Sequence, residues 1–249
     1  MRLLTIVNAE GSPAGVIEDV ARAEGVACEA LIACRGEGSN ASLGDPIPES
    51  IDGYDGLVVL GGHMSVNDRD DWPFIGATED LMREAAEKGV PVLGVCLGAQ
   101  LLASAHGAAV TKMPATEYGF TEIHFLPATA EDPVLGHAPK ALHLMQWHDD
   151  TFALPPGATL FGHSAGCAHQ GFRVGETSWG TQFHFEVTPD IVRHWATLRA
   201  RGLEQDEAAS VAEIDRQVEA HYTAHRHFAE ELTRRYLGVV KRQRVHRTG

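Results

Sequence analysis

One cysteine of this chain lies where a nucleophile is usually placed. Cys96 follows a short β-branched run at residues 91–95 and precedes residues 97–103, which are rich in strong helix formers. This order predicts a strand-to-helix turn with Cys96 at its tip, where the unpaired N–H groups of the helix N-terminus favour a thiolate. Gly94 and Gly98 flank the cysteine two residues away on either side, where larger side chains would obstruct the turn. Taken alone, the stretch fits a buried structural cysteine equally well.

A cysteine nucleophile needs a base, and the stretch WGTQFHFEVTP at residues 179–189 offers one. Gln182, His184 and Glu186 occupy alternate positions there, and alternate side chains of a strand point to the same face. Glu186 can therefore orient the ring of His184, and His184 can act on the thiol. The chain has 14 histidines, so this pattern alone also fits a half-exposed strand with its polar side chains outward.

Strands and helices alternate over the first 107 residues and must hold these side chains in place. We expect strands at residues 3–7, 28–34, 56–60 and 90–95, and helices at residues 13–23, 74–88 and 97–105. Buried apolar strands that alternate with helices indicate a parallel sheet. The first half of the chain is therefore predicted to be a doubly wound α/β sheet.

The second half has shorter, often alternating segments between Pro and Gly turns. We expect antiparallel strands at residues 121–126, 141–147, 159–163, 171–174 and 178–185, followed by a helix at 189–201. Residues 206–237 form a further predicted helix with one apolar stripe: Val211, Ile214, Val218, Tyr222, Phe228, Leu232 and Tyr236. We expect an α/β domain at 1–203 and a C-terminal helical extension at 204–249. The stripe packs on that domain or, alternatively, forms a homodimer contact.

Composition narrows the class of protein. A hydrophobic fraction of 44% and a charged fraction of 22% are typical of a globular chain, and no apolar run is long enough to span a membrane. The N-terminus predicts a first strand and no signal peptide. The four cysteines form no CxxC pair, which favours a reduced, cytoplasmic protein. A net charge of −14 argues against nucleic acid as the main partner.

The charge is uneven along the chain. Residues 233–249 carry no acidic side chain but six basic ones: Arg234, Arg235, Lys241, Arg242, Arg244 and Arg247. Two interpretations stay open for this segment. It is either a solvated terminus or a clamp onto an acidic surface of a second subunit.

Five stretches together resemble the class I, triad-type, glutamine amidotransferases. GVCLGAQ at 94–100 and QFHFE at 182–186 are similar to the two signatures of that family. Three more resemble its oxyanion loop, its Glu-x-Gly segment and its Trp/Ser-His-x-Asp stretch: DGLVVLGGHMSVND at 55–68, TEYGFTEI at 116–123 and MQWHDDTFALPPGA at 145–158. The order holds over about residues 50–200, and the most similar subgroup is the stand-alone GMP-synthase-like amidotransferases. The resemblance implies a flavodoxin-like, mostly parallel sheet with antiparallel additions.

The resemblance also implies a role for each matching residue. Cys96 would attack the γ-carboxamide of glutamine, and the backbone N–H groups of Gly62 and Leu97 would hold the oxyanion. His184 would protonate the leaving ammonia and then activate water, because an amide leaves poorly unless it is protonated. Glu186 would orient His184.

Substrate contacts are implied for a second group of residues: Gly61, His63, Gln100, His148 and Asp150. Two positions depart from the family pattern. Phe185 stands where the family usually has proline, and we expect it to point away from the triad. The loop after the glycine pair contains His63, Met64, Ser65 and Val66 in place of small or acidic residues, so strict specificity for glutamine is an open question.

Three functions follow from these observations. The first is a glutamine amidotransferase subunit that passes ammonia to a separate synthetase, and the second is a stand-alone γ-glutamyl hydrolase or peptidase with the same triad. The third is a non-catalytic binding module, against which the complete Cys96, His184 and Glu186 set argues. We expect no cofactor. His221, His225 and His227 lie close together in the sequence, but nothing completes a metal site with them, so no metal is predicted.

Overall fold

The first half of the chain forms the parallel part of a nine-stranded sheet. A computed structural model describes residues 1–248. Its first elements are β1 (Arg2–Val7), α1 (Val16–Ala23), β2 (Ala27–Ile32), β3 (Cys34–Arg35), β4 (Ser42–Leu43), β5 (Gly56–Val59), α2 (Phe74–Glu87), β6 (Val92–Val95) and α3 (Leu97–Ala105). β1 pairs in parallel with β2 and β5, and β5 pairs in parallel with β6. β3 and β4 form a separate small hairpin.

The second half extends the same sheet with antiparallel strands. Its elements are β7 (Val110–Phe125), β8 (Ala141–Phe152), β9 (Thr159–His163), β10 (Gly171–Val174), β11 (Ser178–Thr181), α4 (Pro189–Gly202) and α5 (Glu207–Thr248). The strand order is β2-β1-β5-β6-β11-β10-β9-β7-β8. β11 pairs in parallel with β6 and antiparallel with β10, so it joins the two halves. The predicted doubly wound sheet with antiparallel additions is confirmed.

Two strands are longer than the sequence predicted. β7 and β8 are 16 and 12 residues long and pair with each other, whereas we expected two short segments. Pro114 falls where the pairing shifts register between Lys112 and Glu117, so its missing N–H interrupts no ladder bond. Gly119 has a φ of +94°, which glycine adopts without strain, and pairing continues past it. Residues that usually indicate turns are here accommodated within a strand.

The strand expected over 178–185 is wrong in its second half. β11 ends at Thr181, which pairs with Val95, the last residue of β6. Beyond this point the partner strand β6 ends and the chain turns at Cys96, so it offers β11 no further backbone hydrogen bonds. The chain crosses to β8 instead, where the His184 N–H donates to the main-chain oxygen of Met145 at 2.8 Å.

Helices cover both faces of the sheet. Successive side chains of β5 point to opposite sides: Val58 lies in the core with α1 and α5, whereas Leu57 and Val59 lie in the core with α2 and α3. The sheet is thus buried on both faces, as its continuous apolar runs predicted.

The C-terminal helix α5 is longer than expected and belongs to the core. Phe228, Leu232 and Tyr236 are buried against the sheet, and the Tyr236 hydroxyl lies 2.9 and 2.8 Å from the main-chain oxygens of Leu57 and Pro91. Packing of the apolar stripe on the α/β domain is therefore confirmed. The boundary at residue 203 between two units stays a prediction.

The basic segment forms the end of α5. Arg244 and Arg247 lie 3.5 and 3.8 Å from the carboxylate of Asp55 in the same chain. Gly249, the last residue of the predicted basic segment, lies outside the described residues. No described helix combines the length and apolar character that crossing a membrane requires.

Candidate active site

Cys96 stands at a strained turn between β6 and α3. Its φ is +53°, a left-handed conformation that is uncommon for a residue other than glycine and that concentrates at functional sites. A Cβ on Gly98 would lie 2.0 Å from the main-chain oxygen of Val59, and one on Gly94 would lie 2.4 Å from the oxygen of Gly98. The prediction that larger side chains would obstruct this turn is confirmed.

His184 and Glu186 form a buried pair beside the cysteine. Nδ1 of His184 lies 2.7 Å from Oε1 of Glu186, and the relative exposures of Cys96, His184 and Glu186 are 4%, 3% and 1%. A Cβ on Gly61 would lie 2.7 Å from Cε1 of His184 and 3.6 Å from Cβ of Cys96. Both residues therefore flank Gly61, and any larger residue there would push the imidazole away from the sulfur.

The charges around His184 keep its ring protonated. Burial disfavours the charged ring, but the negative charges of Glu186 and Cys96 outweigh it and raise the pKa of His184 to about 10. At neutral pH the ring is therefore an imidazolium. It holds a proton that it can deliver to a leaving group.

Two main-chain segments meet where an oxyanion would form. Gly61 and Gly62 follow β5, and Leu97 is the first residue of α3, where helix N–H groups lack intrahelical acceptors. A Cβ on Gly62 would lie 2.9 Å from Cδ2 of Leu97, so the two segments touch. The oxyanion role of Gly62 and Leu97 stays a prediction that this proximity allows.

A cavity of about 370 Å³ opens above the cysteine. Cys96 and His184 line it together with Gly62, the predicted oxyanion residue, and four predicted substrate contacts: His63, Gln100, His148 and Asp150. The fifth predicted contact, Gly61, packs against the His184 ring. Burial lowers the pKa of His63, which makes this ring a neutral wall residue at physiological pH. The structure thus brings the predicted residues to one place, and their contacts with a substrate stay predictions.

Hydrogen bonds join three walls of this cavity at Asp150. Its main-chain oxygen accepts from Nε2 of Gln100 at 3.1 Å, and its carboxylate accepts from Oγ of Ser65 at 2.7 Å. The Gln100 amide also donates to Oε1 of Gln182 at 3.2 Å. The first turn of α3, the glycine-rich loop and β8 are therefore tied together.

A second cysteine, histidine and glutamate come together away from the first set. The ligand atoms of Glu117, His148 and Cys167 lie within 4.8 Å of one another, a spacing that could hold a metal ion. The Cys167 sulfur lies 3.2 Å from Oγ1 of Thr151 and 3.5 Å from the main-chain oxygen of His169. Burial raises the pKa of the Cys167 thiol, which disfavours both a metal-binding thiolate and a nucleophile.

Two tryptophans complete the surroundings of the triad, and their role was not predicted from the sequence. The Trp195 ring packs edge-on against His184 with centroids 4.6 Å apart, and its Nε1 donates to the Gly11 oxygen at 2.8 Å. The main-chain oxygen of Trp147 lies 3.8 Å from Sγ of Cys96. Trp147 lies in a stretch already singled out, whereas nothing local in the sequence indicates that Trp195 of α4 reaches His184.

Comparison with known proteins defines the class. The family model for glutamine amidotransferase class-I matches residues 39–194, which is more than half of the chain. The protein therefore belongs to the class I glutamine amidotransferase family.

Individual relatives agree with this class. The glutamine amidotransferase-like protein YfeJ of Salmonella typhimurium is 34% identical over 157 residues, which cover 62% of this chain and 66% of YfeJ. One subunit of the glutamine-hydrolysing GMP synthase of Thermoplasma acidophilum is 33% identical over 140 residues, covering 55% and 66% of the two chains. The match thus spans just under two thirds of each relative.

Solved structures match over nearly the whole chain. A glutamine amidotransferase from Thermotoga maritima superposes with a TM-score of 0.77 at 27% identity, covering 95% of this chain and 97% of that one. A glutamine amidotransferase from Methylobacillus flagellatus superposes with a TM-score of 0.79 at 30% identity, covering 96% and 94%. These likenesses extend beyond the residues that match the family model.

Proposed function

We propose that this protein hydrolyses the γ-amide of glutamine through a thioester on Cys96 and supplies the ammonia to a partner synthetase. Membership of the family supports amide hydrolysis for such a partner. The observation that carries the assignment of residues is the position of Cys96 at a strained elbow with the buried His184–Glu186 pair beside it. Four free cysteines support a reducing compartment, the cytoplasm.

The first half of the reaction forms the thioester. The Cys96 thiolate attacks the γ-carbonyl carbon, and the carbonyl oxygen becomes an oxyanion. The N–H groups of Gly62 and Leu97 stabilise this charge; one such donor is worth about 10²–10³ in rate. The His184 imidazolium gives its proton to the amide nitrogen, the C–N bond breaks, and ammonia leaves.

The second half releases glutamate. With the sulfur bound in the thioester, one of the two negative charges that raise the pKa of His184 is gone. The neutral ring then takes a proton from water, and the hydroxide attacks the thioester carbon. The C–S bond breaks to give glutamate and the Cys96 thiolate, with His184 again an imidazolium. Glu186 keeps Nδ1 protonated throughout, so that Nε2 faces the reaction.

One observation favours a second candidate function. The cavity of about 370 Å³ lies in the range of pockets for drug-sized ligands, about 300–1,000 Å³, and has room for more than glutamine. It reaches Glu37 and Leu198, which lie on segments outside the predicted contact residues. A γ-glutamyl amide or peptide with a bulky leaving group would fit the same chemistry without a partner.

Release of glutamate by the purified chain tests both functions. Glutamine and a panel of γ-glutamyl amides and peptides are compared for the wild type, for Cys96→Ala and for the matched control Cys167→Ser. We expect Cys96→Ala to lose turnover and Cys167→Ser to retain it. Turnover of glutamine alone supports the amidotransferase, whereas faster turnover of a bulky γ-glutamyl compound supports the hydrolase. Activity that survives in Cys96→Ala and is lost in Cys167→Ser overturns the assigned nucleophile.

A further inference from the structure

A second histidine–carboxylate pair lies in the wall of the cavity, and the proposed mechanism does not use it. Glu117 and His148 are 9% and 5% exposed, and Nε2 of His148 lies 3.0 Å from Oε2 of Glu117. Nδ1 of the same ring lies 2.9 Å from the main-chain oxygen of Asp150. Both ring nitrogens therefore face oxygen atoms of the protein.

Further hydrogen bonds hold both members of this pair in place. A main-chain oxygen can only accept, and the Glu117 carboxylate already accepts from Ser164 and from Nε2 of Gln170. Because the Asp150 oxygen can only accept, Nδ1 of His148 donates to it, and Nε2 of the same ring faces the Glu117 carboxyl group. Burial opposes the charge on Glu117, but hydrogen bonds from His148 and Ser164 outweigh it and keep the pKa of this carboxyl below its usual value. The Glu117 carboxyl group and the His148 ring therefore hold each other in one orientation.

The pair acts on the site through one main-chain oxygen. That oxygen of Asp150 accepts from His148 and also from Nε2 of Gln100, which lies one helical turn after Cys96. Because the second N–H of the Gln100 amide points to Gln182, only Oε1 of Gln100 is left as an acceptor on the cavity side. The position of Asp150 thus determines which atom Gln100 presents to a bound molecule.

We infer that the hydrogen-bonded Glu117–His148 pair is a positioning unit for substrate binding, which fixes Asp150 and thereby aims the Gln100 oxygen at a donor group of the γ-glutamyl substrate. The inference rests on the proposed function for its substrate. Neither ring nitrogen is free for the substrate, so His148 acts through Asp150 and Gln100. The pair should influence KM, whereas the Cys96–His184–Glu186 set should influence kcat.

Two substitutions at one position separate the contacts. In His148→Asn the amide nitrogen lies close to the position of Nδ1 and keeps the bond to Asp150, whereas in His148→Gln it lies closer to Nε2 and keeps the bond to Glu117. We expect KM to rise about tenfold in His148→Gln, equivalent to one lost hydrogen bond, and less in His148→Asn. We expect kcat and the rate of Cys96 alkylation by iodoacetamide to stay near wild type in both. His169→Asn is the matched control, because His169 also contacts a main-chain oxygen of β8, that of Phe152 at 2.7 Å.

A third variant covers the case in which His148 variants do not fold. In Glu117→Gln the His148 ring loses the carboxyl group that holds its Nε2, so its hold on Asp150 weakens and KM should rise as in His148→Gln. Equal KM values in wild type and variants, or a loss confined to kcat, would overturn the inference. So would a stoichiometric metal ion in the wild type that is missing from the variants.

Measurements of binding distinguish a failure of this inference from a failure of the proposed function. Calorimetric affinity for glutamine and for the γ-glutamyl panel is measured in Cys96→Ala, with and without His148→Gln. Absence of turnover in the wild type counts against the proposed function only. Affinity that is unchanged by His148→Gln counts against the positioning unit, whether or not the wild type turns over.

Discussion

At the scale of single residues, the proton on His184 sets the pH range of the reaction. Because Glu186 and Cys96 raise its pKa to about 10 in the free enzyme, we expect kcat/KM to hold through neutral pH and to fall as the pH passes about 10. Glu186→Gln removes the charge that contributes most to this rise. We expect it to move the alkaline limit to lower pH and to reduce kcat by about 10²–10⁴-fold, the usual contribution of acid–base catalysis. Profiles of kcat/KM and kcat between pH 6 and 11 for both proteins check this.

The stability of the fold should also depend on the proton of His184. A histidine whose pKa is higher in the folded state stabilises the fold fully below its unfolded value, here 6.5. That contribution is lost as the pH rises from 6.5 through about 10. Urea unfolding at several pH values should therefore show that the unfolding free energy of the wild type falls as the pH rises. The fall should be smaller in Glu186→Gln. Parallel curves for the two proteins would contradict the ion pair.

The sequence was sufficient to find residues whose role depends on local chain geometry. Cys96 was predicted from a strand followed directly by helix formers, and the structure has that turn. His184 and Glu186 were paired on the basis of strand alternation, and they do pair, although the strand ends before them. Trp195 reaches the site from α4, and the partner of His148 comes from β7. Contacts of this kind depend on how the elements pack against one another, and that packing cannot be read from a single sequence.

At the scale of elements, the elbow between β6 and α3 holds the nucleophile only because its flanks are glycines. A Cβ in Gly98→Ala would lie 2.0 Å from a main-chain oxygen of β5, which cannot rotate away. We expect this variant to lose about 1–3 kcal/mol of unfolding free energy, the usual cost of overpacking, and to lose activity because Cys96 moves. Urea denaturation and glutamate release measure the two effects.

Gly76→Ala is the matched control for that substitution. Gly76 lies in α2, and a Cβ there would have no atom within 4 Å. Alanine should therefore gain up to about 1 kcal/mol from its better helix propensity. If Gly98→Ala were as well tolerated as Gly76→Ala, steric restriction would not explain the elbow.

Element lengths were harder to predict than element types, for identifiable reasons. Pro114 and Gly119 indicated turns, but a register shift in β7 absorbs the proline and a positive φ the glycine. β11 was predicted too long because the apolar pattern continues, whereas its partner strand ends at Val95. A strand can continue only where a neighbouring strand offers backbone hydrogen-bond partners. The order of the strands in the sheet determines which strand is that neighbour.

At the scale of the whole molecule, α5 is part of the main core. The family model ends at residue 194, and the sequence suggested an extension beyond 203. In the structure, however, side chains of α5 fill one face of the sheet: Phe228, Ala229, Leu232, Tyr236, Leu237, Val239 and Val240. Residues 1–203 would therefore expose the face of β1 and β5 that this helix covers.

The two ends of α5 should differ in their importance for folding. Burying each large apolar side chain of the helix contributes about 1.5–3 kcal/mol, so losing Phe228, Leu232 and Tyr236 together approaches the roughly 5–15 kcal/mol that hold a typical domain. We expect a chain that ends at residue 203 to show no cooperative thermal transition. A chain that ends at residue 241 loses the pairs of Arg244 and Arg247 with Asp55, which lie at 3.5 and 3.8 Å near the surface and are worth about 0–1 kcal/mol each. It should fold, melt within a few degrees of the wild type and release glutamate at the same rate. A cooperative, active chain of residues 1–203 would show that α5 is an appendage, and the apolar stripe would then be free for a partner.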